Sequence, residues 1–364
     1  LQPHGDESGG LEAAVSPPRV SVLCSTFRPG GIDVLLAGMA AQTFDDFEVI
    51  LVDHRYALRH ARVREEARNR GIRLVHTPEH RRNGKWGTIG AAWNTAFALA
   101  DGEWFLMIPD YTFVPSGWIE RHLARLTSKS IYTVAPYRYL ALPELGIKRP
   151  HAFAGAQDDV AAMTESNAVL DGEIFEEFSA FLGPFGSEML ATLKPSGFPH
   201  QDIRELRAGK ETPPDWVHVK NEGTQRDLVF RLNGLDERLD RGKGPLDTDW
   251  GIRLAAAGAR LTWAPEAIVD VPNPRWFAPT MPFGQRGERV AGRWSYYDGC
   301  AYNHRRTAES ALGDVAAKNP WALKDLREAL VERGWRDQDK DIDVDRFETD
   351  DRSYWGGEIW PESP

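Results

Sequence analysis

The sequence predicts an α/β fold, a mostly parallel sheet covered by helices. Three observations predict it. Strand-like apolar runs alternate with helix-spaced segments four times between residues 19 and 108. One of the runs, Arg19–Cys24, is mostly apolar, as a strand buried on both faces is. Two runs lead into a single carboxylate, Asp53 and Asp110, at the strand ends where open α/β sheets hold their ligands.

Residues 1–17 are polar and rich in Gly, Pro and Ser, and a disordered leader is expected there. The first strand, Arg19–Cys24, runs into the loose turn Ser25–Gly31. Ile32–Ala41 has apolar residues at helical spacing. Phe47–Val52 is a second strand, Ala57–Arg70 an Arg-rich helix stopped by Gly71, and Ile72–Thr77 a third strand. Gly87–Ala100 reads as a small-residue helix, and Trp104–Ile108 as a central buried strand ending at Asp110. Pro115 then sets φ for the first turn of a helix over Trp118–Leu126. A further strand is expected at Ile131–Tyr137. Periodicity is weak from Leu140 to Pro214. Beyond it, Asp227–Leu232 is apolar, Thr248–Ala257 is a helix closed by Gly258, and Arg260–Trp263 and Ala267–Val271 are short strands. Residues 281–305 read as a loop able to fold over a site, and Trp321–Arg333 as an amphipathic helix stopped by Gly334.

Of the 364 residues 41% are hydrophobic, enough for a sizeable core, and the net charge of −10 argues against a surface built wholly for nucleic acid or anionic membrane. Two cysteines, Cys24 and Cys300, make no disulfide framework. The opening LQPHGDESGG has neither the basic start nor the apolar middle of a secretory signal, and no apolar run reaches the length of a membrane span. A cytoplasmic setting is expected.

Several residues could carry chemistry. Asp53 could accept a hydrogen bond from a nucleotide base or ribose, or could be a turn aspartate. Thr26 and Phe27 end the neighbouring strand, where their backbone could line the same pocket. Between residues 55 and 85 ten Arg and Lys residues face three glutamates. Most suit a solvated helix face. Arg81, Arg82 and Lys85 instead precede a helix N-terminus, an arrangement suited to binding anions. Asp110 is a candidate ligand for Mg²⁺ or Mn²⁺. Asp247 and Asp249 open a helix, where a carboxylate is either a dipole partner or a general base.

Together these residues resemble an inverting glycosyltransferase of the GT-A fold, close to family 2. The family's opening strand–Thr–aromatic is matched by Ser21–Phe27, and its AQT…FEVIVVD segment by Ala41-Gln42-Thr43 and Phe47–Asp53. Its helix motif is matched by Gly87, Ala92, Asn94, Ala100, Gly102 and Glu103, and its metal segment by Asp110 and Pro115. Its later motifs are matched by Asn233–Glu237, Asp247-Thr248-Asp249, Arg253-Leu254, Gly258 and Pro265-Glu266-Ala267. The resemblance spans roughly residues 19–272. It implies a nucleotide-sugar donor held by Thr26, Phe27, Arg28, Asp53, Lys85 and Gly87, a divalent metal on Asp110, and Asp247 as the base. It places Asp249 and Trp250 beside an acceptor hydroxyl of a glycan, a small molecule or a modified nucleobase. It implies a nucleotide half (18–139) and an acceptor half (140–280); outside it lies an extension (281–364) with a candidate lid loop and an acidic tail.

The departures from the family are specific. Ile108-Pro109-Asp110 keeps one acidic residue where the family has two or three, Leu246 replaces a Glu, and the His expected after Pro265-Glu266-Ala267 is absent. They motivate a second reading, a non-catalytic sugar-nucleotide or glycan-binding protein. A nucleotidyltransferase is a third, disfavoured by the sparse phosphate loop at Arg28–Gly31. Asp337, Asp339, Asp341, Asp343, Asp345 and Glu348 have the spacing of a Ca²⁺ loop, but Ile342 stands where that loop needs Gly.

Overall fold

The structure is a computed structural model and describes residues 17–26, 32–54, 56–80, 89–110, 112, 114–128, 131–135, 137–140, 214, 217, 219–241, 246–267, 269–272, 305 and 307–342. The strands are β1 (Val20–Thr26), β2 (Phe47–Asp53), β3 (Leu74–Thr77), β4 (Trp104–Pro109), β5 (Ile131–Val134), β6 (Tyr137–Leu140), β7 (Glu222–Gln225), β8 (Arg260–Trp263) and β9 (Val269–Pro272). The helices are α1 (Ile32–Ala40), α2 (Tyr56–Asn69), α3 (Ile89–Leu99), α4 (Trp118–Arg125), α5 (Arg226–Arg231), α6 (Leu246–Ala256) and α7 (Leu323–Glu332).

Seven strands form one sheet in the order β3-β2-β1-β4-β7-β5-β8. All run parallel except β7, which is antiparallel to β4 and β5. β6 and β9 make a separate parallel pair. From β1 the chain moves outward to β2 and β3, then crosses back to β4 on the other side. The order therefore reverses between β1 and β4, and the crevice outside the C-terminal ends of these two strands is the ligand position of open α/β sheets.

Two apolar layers flank the sheet. One holds Phe97 of α3, Phe105 of β4, Trp250 of α6 and Leu326 and Trp335 from the C-terminal region. The other holds Leu36 of α1, Val63 of α2 and Trp118 and Ile119 of α4. On α2 the buried residues Tyr56, Arg59, Val63 and Ala67 form one helical stripe, and Gly71, at φ 68°, ends the connection. Every residue of α3 from Gly90 to Leu99 is buried, which accounts for its small side chains. At Gly102 a Cβ would lie 2.4 Å from the Ser21 amide nitrogen, so only glycine lets β4 start against β1.

The C-terminal region joins this core. α7 packs on α3 through Leu323, Leu326 and Leu330. Arg327 Nη1 donates to the carbonyls of Ala98 (2.7 Å) and Ala100 (3.0 Å), and Arg336 donates to that of Leu99. Two guanidinium groups thus satisfy carbonyls that a helix C-terminus leaves bare. Arg336 also reaches buried Glu48 at 2.7 Å. Gln338 Oε1 then accepts the His76 amide of edge strand β3 (2.7 Å), and the Ile342 amide donates to the Tyr56 hydroxyl (3.2 Å). An outer edge of the sheet is thereby covered.

Two differences from the sequence reading stand out. The expected strand Ile131–Tyr137 is two strands, β5 and β6. β7 was not expected, because Glu222-Gly223-Thr224-Gln225 has no apolar alternation. No helix among the described residues is long and apolar enough to cross a membrane.

Candidate functional site at the β1/β4 switch point

Three expected residues meet at the strand ends. Thr26 of β1 is in register with Asp53 of β2, and Ser25 with Pro109 of β4. Across the switch point the Thr26 hydroxyl donates to Asp110 Oδ2 at 2.9 Å, and both residues are buried. Thr112 closes the turn after β4, its hydroxyl donating to the Pro109 carbonyl at 2.5 Å.

Asp53 is fully buried and bound on two sides. Arg59 of α2 donates through Nε to Oδ2 (2.7 Å) and through Nη2 to Oδ1 (2.8 Å), and His76 Nε2 of β3 reaches Oδ2 at 3.0 Å. Burial alone would push this carboxyl up. The Arg59 charge and the hydrogen bonds from His76 and Arg59 outweigh burial and hold it well below the usual carboxylate range. Burial pushes His76 down, so a neutral ring donating from Nε2 fits the site. Asp53 therefore ties α2 and β3 to β2. Next to it, His54 meets Glu79 at 3.0 Å. Burial would lower the His54 pKa, but the Glu79 carboxylate outweighs burial and raises it.

The N-terminus of α3 faces the same end of the sheet, since α3 runs back from β3 to the start of β4. Its first amides are taken by a carboxylate: Gly90 N donates to Asp240 Oδ1 (2.6 Å) and Ala91 N to Oδ2 (2.9 Å). Asp240 belongs to a 3-10 turn, Glu237–Arg241. The loop before that turn is pinned to α3. Asn94 Nδ2 donates to Leu235 O and Glu237 Oε1, both at 2.9 Å, and Asn94 Oδ1 accepts the Leu235 amide at 2.8 Å. Gly234, at φ 66°, fits because a Cβ there would lie 2.2 Å from Asn94 Oδ1. Asn319 holds the same loop from the other side, accepting the Glu237 amide and donating to Asn233 O and Leu235 O.

Asp247 lies in the first turn of α6, half-buried, with Oδ1 accepting the Thr248 amide at 3.0 Å. α6 precedes β8, which runs parallel to β5 and hence to β4, so α6 begins at the same end of the sheet as Asp110. The expectation for Asp249 and Trp250 is corrected. Both side chains are fully buried and cannot face an acceptor. Asp249 Oδ2 accepts from Arg253 Nε at 2.8 Å, and Arg253 donates to the carbonyls of Leu232 and Gly234. Trp250 stacks against Phe97 in the core. The four-residue spacing of Asp249 and Arg253 was a legible helix-pair signal for this role.

Phe27, Arg28, Arg81, Arg82, Lys85 and Gly87 lie outside the described residues. Of the other arginines, Arg59 serves Asp53, Arg64 reaches Tyr56 and Asp341, and Arg70 pairs with Glu66. In the stretch with Ca²⁺-loop spacing Asp337 pairs with Lys340, and Asp341 with Arg64 and His60; residues 343–348 lie outside the described part. Among the described residues no group of three or more His, Cys, Asp or Glu could hold a metal ion. Asp110 therefore fits a Mg²⁺-type ion only where substrate phosphates and water complete the shell, a common arrangement for that ion.

Sequence reasoning missed Arg59, His76, Asp240 and Gln42. Gln42 locks the turn after Asp110: its Oε1 accepts the Trp118 (3.1 Å) and Ile119 (3.3 Å) amides of α4, and its Nε2 donates to Gly38 O and Pro115 O. The N-cap of α4 is Gly117, which has no side chain to do this.

Residues 22–169, about two fifths of the chain, match the family described as Glycosyl transferase family 2. Over 153 residues the chain is 30% identical to the 1-deoxy-D-xylulose-5-phosphate synthase of Paraburkholderia xenovorans, covering 41% of this chain and 21% of that one. Over 184 residues it is 28% identical to the synthase of Burkholderia thailandensis, covering 49% and 26%. The chain thus spans about a quarter or less of the curated relatives it matches. Among solved structures it is similar to the mannosyltransferase PcManGT of Pyrobaculum calidifontis in complex with GDP-Man and Mn²⁺, at 18% identity and TM-score 0.41, covering 88% of this chain and 72% of that one. It is also similar to glucosyl-3-phosphoglycerate synthase of Mycobacterium tuberculosis, at 12% identity and TM-score 0.35, covering 83% and 82%. Over residues 22–169, then, the chain is similar to the glycosyltransferases of family 2.

Proposed function

We propose that the chain moves a sugar from a nucleotide-diphosphate sugar to an acceptor hydroxyl with inversion. The observation that carries this reading is the Thr26–Asp110 hydrogen bond across the switch point, with Asp53 next in register. The nucleoside end lies over the ends of β1 and β2. There Asp53, clamped by Arg59 and His76, sets the pocket wall, and Thr26, Phe27 and Arg28 line it. Lys85 and Gly87, which precede α3 in sequence, are the proposed contacts to the diphosphate.

Asp110 would hold a divalent metal, Mg²⁺ or Mn²⁺. When bound, that ion neutralises charge on the leaving diphosphate. Asp247 takes the proton of the acceptor hydroxyl. The acceptor oxygen bonds to the anomeric carbon from the face opposite the leaving group, and the bond to the diphosphate breaks with its electron pair leaving on oxygen. The half-buried position of Asp247 at the first turn of α6, at the same sheet end as Asp110, supports this role. A non-catalytic binder of sugar nucleotides is the competing reading, drawn from the single acidic residue before Pro115.

Thermal unfolding against a panel of nucleoside diphosphates and nucleotide sugars, with and without Mn²⁺, tests the donor half. A ligand that binds the folded chain raises the melting temperature by mass action. A metal-dependent rise with one nucleotide supports Asp110 as ligand; no rise with any member of the panel contradicts the donor reading. For the base, Asp247→Asn is expected to lower turnover by about 10²–10⁴-fold and to leave the donor's calorimetric affinity in place. If affinity falls as far as turnover, Asp247 is not the base.

A further inference from the structure

A buried polar chain links α6 to the strands beneath the site. Trp250 Nε1 donates to the Tyr132 hydroxyl at 3.1 Å, and that hydroxyl donates to Glu222 Oε2. Glu222 Oε2 also accepts the Val219 amide at 3.0 Å. The three side chains are at most 1% exposed. Val219, a β-branched residue, is held at φ 49°, in the left-handed region such residues avoid. The hydrogen bond from its amide N–H to Glu222 Oε2 therefore secures a strained turn just before β7. Strain of this kind persists only where its surroundings over-determine it.

Position connects this chain to the site. Glu222 pairs in register with Met107 of β4, three residues before Asp110, and with Val134 of β5. Trp250 follows Asp247 by three residues, so the two are neighbours on successive turns of α6. The indole is fixed on its other sides by Phe97, with ring centroids 6.4 Å apart, and by the Arg253 guanidinium, 5.1 Å from its centroid. An apolar core of the same volume would often be as stable as a buried ionisable network, so stability alone does not explain the Tyr132–Glu222 pair. A satisfied network instead selects a single arrangement.

We propose that Tyr132 and Glu222 are positioning residues that set the orientation of Asp247 through Trp250. The inference rests on the assignment of Asp247 as the base. Its test is acceptor-free hydrolysis of UDP-glucose and GDP-mannose with Mn²⁺, followed by release of nucleoside diphosphate well below the melting temperature of every variant. Tyr132→Phe keeps the ring and removes the hydroxyl. It should lower kcat by about 10- to 100-fold, the scale of a misplaced catalytic group, with KM for the donor unchanged. Glu222→Gln keeps an oxygen for both donors and should retain near-normal kcat, whereas Glu222→Leu should behave like Tyr132→Phe. Unchanged kcat in Tyr132→Phe, or loss of kcat with a parallel rise in KM, overturns the positioning role. Asp247→Asn separates the two assignments. If Asp247→Asn is inactive and Tyr132→Phe is fully active, only the positioning role falls. If Asp247→Asn turns over normally, or the unsubstituted chain hydrolyses neither donor, the base assignment falls and takes this inference with it.

Discussion

The two flanks of Asp110 are held by different physics. On the β1–β3 side the contacts are ionic: Asp53 with Arg59, Glu48 with Arg336, His54 with Glu79. On the β5–β8 side an important junction is neutral. His122 of α4 bridges Thr133 (2.9 Å) and Asn221 (3.0 Å), Trp118 Nε1 donates to the same Asn221 oxygen at 2.9 Å, and Asn221 Nδ2 donates to Ala267 O at 2.7 Å. Carboxylates on the charged flank suggest that it fails first in acid, yet the burial of His122 reverses that order. A carboxylate held by an arginine resists protonation, whereas a neutral buried histidine is exposed to it.

The largest expected effect breaks the ionic flank. Arg59→Ala leaves the Asp53 carboxylate buried without its main cation and should cost about 3–5 kcal/mol in urea denaturation. A loss under about 1 kcal/mol would mean that His76 alone can hold Asp53, and the contrast between flanks would lose its basis.

The next test is the pH dependence. Burial lowers the His122 pKa from 6.5 to about 4. A group with a depressed folded-state pKa contributes fully above its unfolded value, and the contribution is lost as pH falls toward the folded value. Stability should therefore decline between pH 6.5 and about 4, by up to roughly 3 kcal/mol, and His122→Gln should flatten that decline. Asp53 is also depressed, so its contribution survives until the pH falls below the ordinary carboxylate value of about 3.9. His54 has the opposite sign: its raised pKa makes its contribution complete below about 6.5 and lost as pH rises through the folded value. Stability curves that fall first below pH 4, with His122→Gln superimposing on the parent, would reverse the order proposed here.

The smallest effect sharpens the comparison, because Gln42 of the α1–β2 connection reaches across to α4. Gln42→Ala should cost about 1–2 kcal/mol by uncapping α4. Hydrogen exchange should quicken at the Trp118 and Ile119 amides and stay unchanged in α2. Equal quickening in α2 would show that the flanks do not respond separately.

The strand ends were legible in the sequence because apolar runs ending on Asp53 and Asp110 report both the buried strand and its termination. The contacts of those ends were not. Arg59, six residues after Asp53, reads as one more cation in a basic stretch, and only the placement of α2 beside β2 turns it inward. β7 was hidden because its burial rests on pairing and on the Tyr132–Glu222 bond, not on apolar side chains. Asp249 and Trp250 were misjudged for a related reason. Motif spacing located the start of α6 without showing which of its faces the core takes. Gln42 and Asn94 stood inside matched motifs, but each is a clamp on a distant loop.

The docking of α7 on α3 bears on how the chain is made. α3 is complete by Leu99, while the helix that covers it starts at Leu323, so 223 residues separate the two. At ribosomal speeds of about 5–20 residues per second, α3 waits roughly 10–45 s for its cover. Through that interval Trp93, Phe97 and the carbonyls of Ala98, Leu99 and Ala100 have no Arg327 or Arg336 to close them. The nascent segment around α3 therefore leaves the ribosome as an unfinished core, a natural client for holding chaperones until the C-terminal helix arrives.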